Sequence, residues 1–202
     1  MRPEFKEAVK IAATGEYKCI PVSLELYADQ YTPLMVLRKL KNVSRHCYML
    51  ESAEDNQKWG RYTFLGYDPR LEITCTNGKL TIKNGTSVNM ETKHPGEYIR
   101  QIVKENKSPR IERLPTFTGG LVGYFSYDYM KYAEPSLVLD AEDKEGFKDV
   151  DLMLFDKVIA FDHFRQKIIL IVNIRCEDLK TEYHRAELEL STMKQLIQSG
   201  EM

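Results

Sequence analysis

Between Leu71 and Met90, apolar and polar residues alternate almost without a break. Leu71, Ile73 and Cys75 take turns with Glu72, Thr74 and Thr76, Leu80 and Ile82 continue the series, and Val88 and Met90 close it. Alternation sends successive side chains to opposite faces of a strand, so this text predicts strands with one buried and one solvated face. Asn77-Gly78 and Asn84-Gly85 interrupt it. That dipeptide is a strong hairpin signal, because a tight turn of this type needs positive φ at both central residues. The stretch predicts a three-stranded antiparallel meander.

Helical spacing appears elsewhere. Pro3 to Ala13 predicts a helix, with Phe5, Val9, Ala12 and Ala13 on one side and Gly15 as the stop. Cys19 to Leu26 alternates and predicts a strand. Thr32-Pro33 reads as an N-cap followed by a first-turn proline. The helix behind it is expected to turn Leu34, Leu37 and Leu40 inward and Arg38, Lys39 and Lys41 outward. An apolar strand from Tyr48 ends at Glu51-Ser52. The polar loop Asp55 to Gly60 separates it from a second strand, Arg61 to Tyr67. His94-Pro95 opens a helix to about Lys104, and a loop follows around Ser108-Pro109. Gly119 to Tyr127 carries little charge and predicts a central strand. Leu152 to Phe164 and Lys167 to Ile174 predict one long hairpin turning near Arg165-Gln166. Leu179, Tyr183, Ala186, Leu190, Met193 and Ile197 recur at helical steps and predict a closing amphipathic helix. The fold class is α+β: antiparallel sheet with helices packed on one face.

Composition narrows the function classes. The 202 residues suit one large domain or two small ones, and 43% hydrophobic with 29% charged residues is ordinary for a globular chain. Twenty-nine basic against 30 acidic residues provide no general field for nucleic acid or an anionic membrane. The longest apolar run, Ile168 to Val172, is too short to span a bilayer. The charged start lacks the apolar core of a signal peptide, so the cytoplasm is the expected compartment. Cys19, Cys47, Cys75 and Cys176 form no C-x-x-C pair, and the four histidines fit no zinc pattern. Free thiols and no metal site are expected.

Several constellations invite chemistry. Gly119, Gly120 and Gly123 lack the lysine of a P-loop and the dinucleotide spacing, so close backbone packing is their expected role. Ser126, Asp162 and His163 suggest a hydrolase, but no nucleophile elbow surrounds a serine. The acidic stretch Asp140 to Asp151 fits no calcium loop and is read as solvated. Glu51-Ser52 is the best candidate. A carboxylate followed by a hydroxyl can hold the ammonium and carboxylate of a small zwitterion, although polar strand ends facing water are common. Trp59 and Arg61 flank the place, and Arg61 can reach a ligand carboxylate or make a surface pair.

The segment Leu50-Glu51-Ser52 resembles the "LLES" element of the anthranilate synthase component I family. The strand Ile20 to Asp29 with Thr32-Pro33, the glycine-rich Pro115 to Asp128, Arg61 to Pro69 and Asp151 to Asp156 resemble other elements of that family in the same order. The resemblance covers nearly the whole chain, residues 1–202, and is confined to the family's N-terminal regulatory domain. It implies one half of a layered α/β/β/α enzyme whose chorismate-binding catalytic half is absent here. It implies a tryptophan site with Ser52 first, Glu51 second, then Leu50 and Pro33, the latter at its rim, and Arg61 last. No catalytic residue is expected in this chain, and magnesium is expected in the catalytic half. The implied partners are a glutamine amidotransferase subunit, the chain's own catalytic domain and L-tryptophan. Two alternatives stay open: the related aminodeoxychorismate synthase component I, and a free-standing amino-acid-binding module.

Overall fold

The computed structural model describes residues 1–51, 60–139 and 144–199. In chain order its elements are α1 (Phe5–Ala13), β1 (Cys19–Tyr27), α2 (Pro33–Val43), β2 (Cys47–Glu51), β3 (Tyr62–Tyr67), β4 (Leu71–Thr76), β5 (Lys79–Asn84) and β6 (Thr86–Glu91). Then come α3 (Pro95–Glu105), β7 (Gly120–Phe125), a 3-10 helix (Tyr127–Tyr132), β8 (Val150–Phe155), β9 (Lys157–Asp162), β10 (Lys167–Arg175) and α4 (Leu179–Ser199). They group into two compact units, residues 1–69, 106–120 and 155–202 in one and residues 70–105 and 121–154 in the other. Every paired strand whose register is described runs antiparallel to its neighbour.

The first unit holds a five-stranded sheet in the order β1-β10-β9-β3-β2. Its core lies on one face. Ile20 and Val22 of β1, Ile159 and Phe161 of β9, Leu65 and Tyr67 of β3, and alternate residues of β10 meet Ala8 of α1, Val36 and Leu40 of α2 and the α4 stripe. That stripe is Tyr183, Ala186, Leu190, Met193 and Ile197, as the spacing predicts. The opposite face carries a smaller cluster of Val158, Ala160, Ile169 and Ile171 with Tyr62, Phe64, Leu114 and Phe117 against it. Thr32 caps α2, its Oγ1 accepting from the Met35 N–H at 3.2 Å.

The second unit holds a five-stranded sheet in the order β6-β5-β4-β8-β7. The predicted meander is β4, β5 and β6, turning at Asn77-Gly78 and around Gly85. Ile99 and Ile102 of α3 close its core over Ile73, Cys75, Leu80, Val150, Leu152 and Leu154.

Four expectations need correction. The strand read from Leu152 to Phe164 is two strands. β8 lies in one sheet and β9 in the other, with Asp156 between them. Apolar text on both sides of a polar residue does not distinguish a continuous strand from one that changes sheets. The strand read as central, Gly119 to Tyr127, lies at the edge of its sheet as β7, with Tyr124 and Phe125 exposed. Its low charge reflects tight backbone contact instead. A Cβ at Gly123 would collide with the Asp151 carbonyl oxygen, and its φ of +152° suits glycine. On α2, Leu34 is 52% exposed while Lys39 is buried. Lys39 Nζ donates to the Ile197 carbonyl at 2.7 Å and so satisfies an otherwise open group near the end of α4.

The acidic stretch is also not wholly solvated. Asp140, Glu142 and Asp143 lie outside the described residues, but Asp149 is buried. It accepts from the Tyr132 hydroxyl at 2.6 Å, the Asn77 N–H at 2.7 Å and Lys131 Nζ at 2.8 Å. Burial pushes its carboxyl upward, yet Lys131, Tyr132 and Asn77 outweigh burial and hold it below the usual carboxylate range. The four cysteines are free, Cys19 and Cys75 buried and Cys47 and Cys176 half-buried. No described helix is long and apolar enough to cross a membrane.

Candidate functional site

Strand pairing in the first unit fixes where each sequence-predicted site residue stands. Leu50 lies opposite Phe64 and Glu51 opposite Thr63. Phe64 belongs to the cluster on the face away from the helices, whereas Phe161, the partner of Thr63 on β9, belongs to the helix-side core. Leu50 and Glu51 therefore leave β2 on opposite faces, Glu51 toward the helix side. Both are exposed. Pro33 opens α2 on that same helix side. Ser52 and Trp59 lie outside the described residues.

A cavity of about 360 Å³ opens beside Pro33. Its walls are the turn 28–33, the end of β9 at Phe161, Asp162 and His163, and Gln166. The volume falls in the range of small-ligand sites. Thr63 stands between Glu51 and His163. It is the cross-strand neighbour of Glu51, and its Oγ1 lies 2.7 Å from His163 Nε2. The cavity thus brings Pro33 and His163 together, Thr63 and Glu51 stand beyond its lining on the same face of the sheet, and Leu50 stays on the other face.

Arg61 is already engaged. Its Nε and Nη2 donate to the two carboxylate oxygens of Asp162 at 3.0 and 2.6 Å. The guanidinium carbon also lies over the rings of Tyr62, at 4.9 Å, and Phe164, at 5.5 Å. Asp162 is 1% exposed and accepts a further bond from the Arg165 N–H. Burial pushes its carboxyl upward, but Arg61 and the Arg165 N–H outweigh burial and leave it below the usual range. The hydrogen bond to Asp162 in turn holds the Arg61 guanidinium above its ordinary value. This two-point pair ties the start of β3 to the end of β9.

Asp162, His163, Thr63, Phe161 and Gln166 are absent from the sequence-predicted set. Asp162-His163 stands out in the sequence only as part of a hydrolase pattern, and Ser126 belongs to the other unit. The usable signal was charge complementarity at strand ends, with Arg61 opening one apolar run and Asp162 closing another. No group of three or more potential metal ligands occurs among the described residues.

Residues 45–201 match the family described as chorismate binding enzyme. The chain belongs to that family. Among its curated relatives, the anthranilate synthase component 1 of Acinetobacter calcoaceticus is 38% identical over 190 residues, covering 91% of this chain and 38% of the relative. That of Acetivibrio thermocellus is 38% identical over 170 residues, covering 83% of this chain and 34% of the relative. The crystal structure of anthranilate synthase component I from Streptococcus pneumoniae TIGR4 superposes with a TM-score of 0.51 at 23% identity, covering 86% of this chain and 38% of that one. The α+β fold and the sequence resemblance are borne out. This member of the chorismate binding enzyme family spans little more than a third of the length of these relatives.

Proposed function

We propose that the chain is the N-terminal, tryptophan-sensing domain of an anthranilate synthase component I. The full-length protein converts chorismate with glutamine or ammonia to anthranilate and pyruvate, and acts in the cytoplasm. The observation that carries this reading is the 38% identity to a curated anthranilate synthase component 1 over 91% of this chain. On this reading the chorismate chemistry and its magnesium belong to chain beyond these residues, and a glutamine amidotransferase subunit supplies ammonia. The domain holds tryptophan against the catalytic domain and biases the enzyme toward a low-affinity state. Such control requires that the effector bind the two states unequally.

The cavity beside Pro33 supports this division of labour. It lies on the helix side of the sheet, the side to which Glu51 points, and offers polar groups at one end of that sheet. Glu51-Ser52 contributes to holding the amino acid's charged groups, with Pro33 at the rim and Leu50 on the opposite face of β2. Arg61 acts through its pair with Asp162, and its Nη1, which has no partner among the described residues, remains for the ligand.

Ser52→Phe in the full-length protein tests the reading. The substitution removes a hydrogen bond and adds bulk, and losing a satisfied polar contact costs about 1–3 kcal/mol, roughly 5- to 150-fold in affinity. Tryptophan inhibition should disappear from protein that still turns over. Parallel loss of inhibition and turnover would make Ser52 a structural residue and count against a tryptophan site here.

A further inference from the structure

His163 is held from several sides. Its backbone N–H donates to the Arg61 carbonyl at 3.0 Å, and its own carbonyl accepts from Gln166 Nε2 at 2.6 Å. The imidazole stacks on Phe161, with centroids 6.4 Å apart and planes 22° from parallel. Its Nε2 lies 2.7 Å from Thr63 Oγ1. Its Nδ1 has no partner among the described residues, and the residue lines the cavity beside α2. His163 is exposed, and a ring held in orientation at a cavity wall with one nitrogen unpartnered is prepared to bind, since little freedom remains to be lost.

The direction of the Thr63 bond decides what Nδ1 offers. Thr63 is 1% exposed, so its hydroxyl proton needs an acceptor inside the protein. Among the described residues, His163 Nε2 is its one side-chain partner. A buried donor left unmade costs more than a spare lone pair. Thr63 therefore donates to Nε2, and the proton of the neutral imidazole sits on Nδ1. Nδ1–H is a donor suited to a carboxylate. The first turn of α2, on the same wall, adds a favourable field for negative charge. Asp29, an exposed residue that also lines the cavity, carries a carboxylate that suits an ammonium. The charge of Asp162 is already taken by Arg61 and the Arg165 N–H.

We propose that His163 is a ligand-contacting residue of this cavity, donating from Nδ1 to the α-carboxylate of a free amino acid, with Thr63 as the residue that positions its ring and Asp29 facing the ammonium. The proposal rests on the amino-acid-sensing reading for the class of ligand. It adds His163, more than one hundred positions from Glu51 and Ser52 in sequence, together with Thr63 and Asp29.

The test uses the full-length protein with its histidines labelled with nitrogen-15. Tryptophan is titrated while the His163 imidazole signals and the heat of binding are followed together. His163→Phe keeps the stacked ring but loses Nδ1, and Thr63→Val frees the ring while leaving Nδ1 in place. The His163 signals should move along the calorimetric isotherm. His163→Phe should weaken binding about tenfold or more, Thr63→Val by less, and both variants should unfold near the wild-type temperature. Binding that leaves the His163 signals unmoved, or undiminished binding by a folded His163→Phe, overturns the proposal. Should His163→Phe not fold, the wild-type signals and Thr63→Val decide. If tryptophan gives no heat at all, the tryptophan reading fails separately. The other common L-amino acids are then titrated against the same signals, and the proposal stands if one moves them and falls if none does.

Discussion

A carboxylate with 1% exposure must find its hydrogen bonds inside the protein, and Asp162 finds three, two from Arg61 and one from the Arg165 N–H. Asp149 is satisfied in the same way by Lys131, Tyr132 and Asn77, and Glu182 by Arg185 and the Arg175 N–H. All three carboxyls are held below their ordinary values in the folded chain, although burial alone would raise them. The sign follows from proton binding. Below the unfolded carboxyl range the unfolded chain takes up protons that the folded chain refuses, so the stabilisation is complete above that range and is lost as pH falls through the depressed folded values. Unfolding followed by denaturant titration should show stability dropping below about pH 4. Asp162→Asn should flatten that drop and lower stability at neutral pH by about 1–3 kcal/mol. A variant with the wild-type acid profile would mean the Arg61 pair contributes nothing. At this scale the sequence offers candidates only where a local motif marks them. Glu51, Pro33 and Arg61 were singled out for this site because they sit in or beside such motifs. Asp162, Thr63 and His163 were not, because their roles come from pairing across β3 and β9, about one hundred residues apart in sequence. Lys39 was misread because helical spacing assigns a lysine to solvent and cannot foresee an open carbonyl on α4.

Among the elements, the meander and the amphipathic α4 were legible because each carries its own period and, in the meander, its own turn residues. The break at Asp156 and the edge position of β7 were not, since both depend on which sheet a strand joins. β7 is set by backbone contact at its glycines more than by side chains. At Gly123 any Cβ meets the Asp151 carbonyl oxygen, and the backbone angle disfavours other residues. Gly123→Val should destabilise the second unit by at least about 1–3 kcal/mol, the cost of an unfavourable backbone conformation before the collision is added. Hydrogen exchange should accelerate along β7 and β8 and stay unchanged in α4. Equal acceleration in both units would show that they unfold together, and no change would remove the packing role assigned to Gly123.

For the whole molecule, the proposal assigns this chain one wall of an effector pocket and leaves the other to chain beyond it. The 202 residues alone should therefore bind tryptophan weakly, because a one-sided pocket cannot exclude water from the indole. They should also self-associate. Phe125 on the edge strand β7 is 49% exposed, and Tyr127 and Val138 are 80% and 86% exposed. Apolar surface of that kind favours association. Calorimetry with tryptophan and light scattering across a concentration series measure the two effects. Tight stoichiometric binding by a strict monomer would favour a free-standing amino-acid-binding module.

The central claim is that this domain senses and the rest of the protein catalyses. Anthranilate fluorescence tests it most directly, with chorismate, ammonium and magnesium supplied to the purified 202-residue chain and, in parallel, to the full-length protein. The account predicts no turnover by the chain alone, and turnover by the full-length protein that tryptophan suppresses. Catalytic anthranilate formation by the chain alone would contradict it.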